Sequence, residues 1–191
     1  EWVPVVEEMP VQTKERIKTS QGSSCNMELD DGSIIYVGEN TETSVEMLDV
    51  SGEKHESKIS LWFGKLIANI KKSKQTKMNV HTPTSICAVR GTEFAVEANG
   101  DESSVGVFDG QVGVKSADAV EGEKEIAVDP DQETSVLKGE MPSPPSRLSE
   151  IMIKHKERNN QLKERVKLLR ERVSKTPIKE RIKKRNAALG K

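Results

Sequence analysis

The residues able to do chemistry are few and scattered. The three histidines, His55, His81 and His155, fall in three unrelated local contexts. None has the nucleophile or carboxylate neighbours that a Ser-His-Asp or Cys-His arrangement needs. Asp30-Asp31 is the nearest thing to a carboxylate pair, but Gly32 follows it, and Asp is favoured beside turn glycines for backbone reasons. Cys25 and Cys87 lack the CxxC spacing of a zinc site. They are expected as two small buried core residues, or as a disulfide if the chain is exported. There is no glycine-rich phosphate loop. The expectation is a protein with no catalytic residue, no metal and no cofactor.

One stretch still invites a functional reading: "HTPTSICAVRGTEFAVE", His81 to Glu97. Thr82-Pro83 predicts an extended entry into a strand, because proline disfavours a helical residue before it. Ile86-Cys87-Ala88-Val89 is a short apolar run, which predicts burial on both faces. Gly91, before Thr92, permits a tight bend, and Phe94 and Val96 return to the core. Arg90 could clamp an anion. The expected role is structural: a buried guanidinium that pairs with a carboxylate or strand-end carbonyls and fixes the turn.

The elements that would hold these residues are β through residue 137. Met27 and Leu29 precede Asp31-Gly32, and Ile34, Ile35 and Val37 follow. Ile59, Leu61 and Phe63 alternate into Gly64-Lys65, and Leu66, Ala68 and Ile70 alternate out. Val105 and Val107 precede Asp109-Gly110, and Val112 and Val114 follow. Each reads as a strand, a glycine turn and a returning strand. The predicted fold class is mainly β, solenoid-like or sandwich-like, followed by a C-terminal basic helical extension.

Charge divides the chain. Residues 1–146 hold 14 Lys/Arg against 26 Asp/Glu, and residues 147–191 hold 16 against 5. The predicted organisation is a β domain over 1–140, a Pro-rich linker over 141–147 and a basic helical tail over 148–191. The tail divides into a helix of about 148–174 and a short helix of about 177–189, which Thr176-Pro177 opens. Leu148, Met152, His155, Asn159, Leu162, Val166, Leu169 and Val173 follow a heptad, as in a coiled coil. Lys156, Lys163 and Arg170 flank one side of this seam, and Arg158, Arg165 and Arg172 the other. Glu150, Glu157, Glu164 and Glu171 all fall on the far side. Self-pairing would set like charges together. The seam is therefore expected to bind a partner through Leu162, Val166, Leu169 and Val173 between Lys163/Arg170 and Arg165/Arg172. That partner is another protein with an acidic, apolar-grooved surface, or the chain's own acidic β domain. Nucleic acid is not expected, since no aromatic lies in the tail to stack on bases. Membrane insertion is not expected either: no apolar run approaches the ~20 residues of a span.

"VHTPTSICAVRGTEFAVE" resembles the hallmark segment of the FecR-like domain family, with Thr82, Pro83, Val89, Arg90, Gly91, Thr92, Glu93 and Phe94 in the matching places. "LDDGSIIYVGENTE", "GKLIANI" and "VFDGQVGV" look like further segments of the family, in order. The likeness covers roughly residues 2–146. It implies a bacterial, typically exported domain, periplasmic or otherwise outside the cytoplasm. The expected function is a non-enzymatic protein-interaction or structural module of the cell envelope, within a larger assembly. The alternative is a periplasmic signal-transduction component of a FecR-type anti-sigma system.

Overall fold

The computed structural model describes residues 2–29, 31–51, 54–73, 76–120, 122, 124–173 and 186–187. The strands are β1 Arg16–Lys18, β2 Cys25–Glu28, β3 Ile34–Val37, β4 Glu42–Ser51, β5 Lys54–Asn69, β6 Thr76–His81 and β7 Ser85–Val89. Then come β8 Glu93–Ala98, β9 Glu102–Asp109, β10 Val112–Ser116, β11 Ile126–Val128, β12 Gln132–Leu137 and β13 Ser146–Arg147. One long helix follows, α1 Glu150–Val173. No described helix is long and apolar enough to cross a membrane.

The strands form one curled sheet with two layers. In the first layer the order is β1-β4-β5-β6-β7-β10-β11. In the second it is β2-β3-β5-β8-β9-β12-β13. Pairing is antiparallel except between β5 and β6. Alternate residues of each strand point between the layers, as the two-residue period of a strand requires. Val45, Ile59, Leu61, Val80, Cys87, Val89 and Val112 from the first layer meet Ile35, Val37, Leu66, Phe94, Val96, Val105 and Val107 from the second in one core. Each such side chain contributes ~1.5–3 kcal/mol by leaving water. The mainly β class read from the sequence is the class of this fold.

Three local expectations change. Gly64 does not turn a hairpin: β5 runs through it for 16 residues and changes layer there. Up to Phe63 the strand pairs with β4 and β6, and from Gly64 on it pairs with β8 and β3. The bend needs φ +96° at Gly64, where a β-carbon would lie 2.5 Å from the Thr41 Cα. Asp109-Gly110 is not a hairpin either. It carries the chain from β9 in the second layer to β10 in the first. Ile86–Val89 is not buried on both faces: Cys87 and Val89 are buried, while Ile86 and Ala88 are half-exposed. The hairpin expected around Gly32 does form, pairing Met27 with Ile35.

Helix α1 starts at Glu150, two residues later than expected. The segment read as a linker lies along β12: Ser143 N–H donates to Ser135 O at 2.8 Å, and Arg147 pairs with Gln132. The short helix expected over 177–189 lies outside the described residues, save for 186–187, which are helical. By compactness Thr13–Asn159 form one unit, and Glu1–Gln12 with Asn160–Lys191 a second. Within the second, residues 2–12 are irregular, with Trp2 and Val5 exposed.

Gly64→Ala is expected to cost about 2–4 kcal/mol, from the positive φ and the clash with the Thr41 backbone together. Urea unfolding of the variant measures it. Unchanged stability would mean that the layer change does not depend on glycine.

Candidate functional site

Arg90-Gly91-Thr92 is a corner between layers, from β7 to β8. It stacks on the return corner at Asp109-Gly110-Gln111. Thr92 is fully buried, and its Oγ1 donates to Gln111 O at 2.9 Å. The chain leaving β5 closes the third side: Ile70 N–H donates to Thr92 O at 3.0 Å, and Lys72 Nζ lies 2.7 Å from Asp109 Oδ2. That carboxylate pushes the Lys72 amine above its ordinary value. Gly91 has φ +69°, and a β-carbon on it would stand 2.5 Å from the Lys72 Cα. Only glycine fits there, both for its backbone angle and for the close approach. Phe94 anchors the far side of the corner in the core.

The expectation for Arg90 is overturned. Its side chain is exposed, and it makes no ion pair among the described residues. It follows the last inward residue, Val89, so the strand's alternation points it away from the core. Thr82-Pro83 also differs from expectation. It forms the tight turn of the β6–β7 hairpin, with Thr82 N–H donating to Ser85 O at 2.8 Å. Thr82 Oγ1 accepts the backbone N–H of Thr84 and of Ser85. Beneath it runs a buried hydroxyl chain: Thr84 Oγ1 donates to Ser103 Oγ, which donates to Ser85 Oγ, both at 2.7 Å. Every donor in this chain is satisfied, so it rigidifies the turn and offers no free group to a ligand.

The second constellation is the outer face of the second layer, where the first part of α1 lies. Ser149 caps the helix, its Oγ accepting from Met152 N–H at 3.4 Å. Ser149 N–H and Oγ both donate to Glu133 Oε2 on β12, at 2.8 and 2.9 Å. Gly106 of β9 makes room for Met152, whose sulfur would stand 2.8 Å from a β-carbon there. His155 Nε2 donates to Glu97 Oε1 at 2.7 Å, and Asn159 Nδ2 donates to Glu93 Oε2 at 2.8 Å. Lys156 bonds Asp131. Arg158 Nη2 donates to Tyr36 OH at 2.9 Å, with its guanidinium 5.1 Å from the ring centroid. The hydrogen bond from His155 holds the Glu97 carboxyl below its ordinary range, against the desolvation that would raise it.

Of the expected seam, Met152, His155, Asn159 and Leu162 are buried and Leu148 is half-buried. Lys163 is half-buried and Arg165 exposed. Val166, Leu169, Arg170, Arg172 and Val173 belong to α1, but their side chains lie outside the described residues. Sequence reading placed His155 and Asn159 in the heptad seam. Two hydrogen-bonding residues in an apolar stripe were in fact the signal of a polar surface beneath.

Cys25 and Cys87 are free thiols; Cys87 is fully buried, which pushes its thiol up to about 12. Among the described residues no cluster of His, Cys, Asp and Glu could hold a metal ion.

The family model described as FecR protein matches residues 15–113, over half of the chain. No curated protein matches. Two crystal structures, at 1.65 and 2.50 Å, of a "putative anti-sigma factor" from Parabacteroides distasonis ATCC 8503 are similar to this one. Their TM-scores are 0.56 and 0.57 at 16% identity, a likeness of fold. The match takes in 70% of this chain and 59% of theirs, so this chain spans about three fifths of their length.

Two outcomes follow from these contacts. Thr92→Val is expected to cost ~1–3 kcal/mol by leaving Gln111 O without its donor, whereas Arg90→Ala stays within about 0.5 kcal/mol. Chemical denaturation of both variants ranks them, and the reverse ranking would restore a bracing role to Arg90. Glu97 stabilises the folded chain above the ordinary glutamate value of 4.5 and loses that contribution as pH falls through its lower folded value. Below about pH 4.5 the melting temperature should therefore drop less steeply in Glu97→Gln than in the parent. Parallel slopes would show that the pair contributes nothing.

Proposed function

The chain belongs to the FecR protein family, and we propose that it is a non-enzymatic component of a FecR-type signalling system of the cell envelope. The β domain receives the signal, and the C-terminal helix transmits it to a partner protein. The observation that carries this reading is how α1 is attached. Ser149, His155, Lys156, Arg158 and Asn159 all reach polar groups of the sheet, four of them carboxylates. Such bonds replace bonds to water, so each contributes only about 1.5–3 kcal/mol net, which a competing partner could offset. A helix meant only as a permanent part of the fold would be held by a wide apolar face.

On this reading Leu162, Val166, Leu169 and Val173, between Lys163/Arg170 and Arg165/Arg172, form the partner-binding stretch. A partner with an acidic, apolar-grooved surface fits it. The fold it shares with the anti-sigma structures supports a regulatory rather than a purely architectural role. An exported location accords with the family.

Deleting the gene in its source bacterium and sequencing the transcripts tests the proposal. A discrete set of genes under one alternative sigma factor should change. The paired variant His155→Ala/Asn159→Ala should shift the same set while the protein still accumulates. Unchanged transcripts together with a weakened envelope would instead favour the structural-module reading.

A further inference from the structure

The outer face of the first layer carries one feature that the signalling reading does not use. Leu61 points into the core, so its neighbour Trp62 points out, and it is 50% exposed. Its Nε1 donates to Ser44 Oγ at 3.3 Å. Ser44 lies on β4, the strand beside β5. The indole N–H thus reaches the neighbouring strand while half of the side chain's surface stays open to solvent. Ser44 in turn bonds Glu46. The ring's N–H is thus tied to the neighbouring strand. Lys14, Arg16, Ser44, Glu46 and Trp62 bound a shallow depression of about 280 Å³ around it. Lys14 is held at its rim with φ +69° by a 2.6 Å bond from its N–H to Val45 O.

The chemistry of this rim narrows the ligand. Arg16 pairs with Glu42, and Lys18 Nζ lies 3.8 Å from the same carboxylate. Three cations, Lys14, Arg16 and Lys18, stand against two carboxylates, Glu42 and Glu46, and two of the three share Glu42. The depression offers a flat π face with donors and acceptors set around its edge. A pyranose ring complements that arrangement: its axial C–H bonds form an apolar face, and its equatorial hydroxyls radiate in the ring plane. The volume sits at the small end of ligand pockets, which are roughly 300–1,000 Å³, and suits one or two rings rather than an enclosed ligand.

We propose that Trp62 is the platform of a carbohydrate-binding site, taking a neutral sugar unit of a polysaccharide on its exposed surface. Lys14 and Arg16 donate to hydroxyls and Glu46 accepts from one. The site lies in the layer that does not carry α1, and the inference is independent of the signalling role.

The purified chain, applied to an array of neutral hexose and N-acetylhexosamine oligomers, should be retained by at least one of them. Titration calorimetry with that oligomer should then give at least a tenfold weaker affinity for Trp62→Ala. Trp62→Phe, which keeps a smaller ring, should lose less, and Glu46→Gln should be weakened several-fold. Circular dichroism confirms that each variant is folded. Retention by no oligomer, or an affinity that Trp62→Ala leaves unchanged, would overturn the proposal. So would Trp62-dependent binding of a fifteen-nucleotide oligothymidylate instead, with affinity falling steeply as salt rises, since that is the signature of base stacking and phosphate contact.

Discussion

The fold depends on two tight corners sharing one wall. Where the chain turns from β7 into β8 it presses against the place where β9 turns into β10. One buried hydroxyl, that of Thr92, spans the two. A β-carbon at Gly91 would stand 2.5 Å from the Lys72 Cα, and one at Gly110 would press on Gly91 O and Thr92 Oγ1 at 3.0 Å. The Val-Arg-Gly-Thr-x-Phe signature is thus mostly a packing constraint. Valine and phenylalanine fill the two sides of the core, glycine permits the approach, and threonine ties the corners. The arginine alone points away.

The outer faces of the two layers differ in kind. One is laid with carboxylates and takes the first turns of a basic helix. The other presents an indole whose N–H is bonded to the neighbouring strand. The three histidines lie apart: His55 on β5, His81 on β6 and His155 on α1. Burial and the nearby Lys58 and Lys115 hold His81 below its ordinary value, while His155 is engaged with Glu97.

Much of this was legible in the sequence. Two-residue alternation marked the inward residues correctly around Ile35, Leu66, Val96 and Val107, because burial on one face is a local property; it held for Ile59 and Leu61 but not for Phe63, which is exposed where β5 changes layer. The change of charge near residue 146 marked the approach to the helix. What could not be read was where a glycine turn leads. Asp109-Gly110 has the signature of a hairpin, and Gly64 looks like another, but a positive φ fixes only the local bend. Whether the next strand pairs with the last one or crosses to the other layer depends on residues far away, such as Thr92 and Thr41. Arg90 failed for a related reason. Its type suggested a buried pair, while its place in the strand's alternation pointed it to water. Trp62 drew no notice because an outward tryptophan is invisible until its neighbours across the sheet are known.

The alternation of layers also bears on how the chain comes off the ribosome. It lays down strands in pairs: β2-β3, β4-β5, β6-β7, β8-β9, β10-β11 and β12-β13. The core therefore cannot be completed in sections from the N-terminus. The last side chains of the core come from Val128 of β11 and Val136 of β12, so a nascent chain shows an unfinished apolar surface until about residue 137 has emerged. Such surfaces aggregate when left waiting. Termination before β12 is complete leaves part of that apolar surface uncovered.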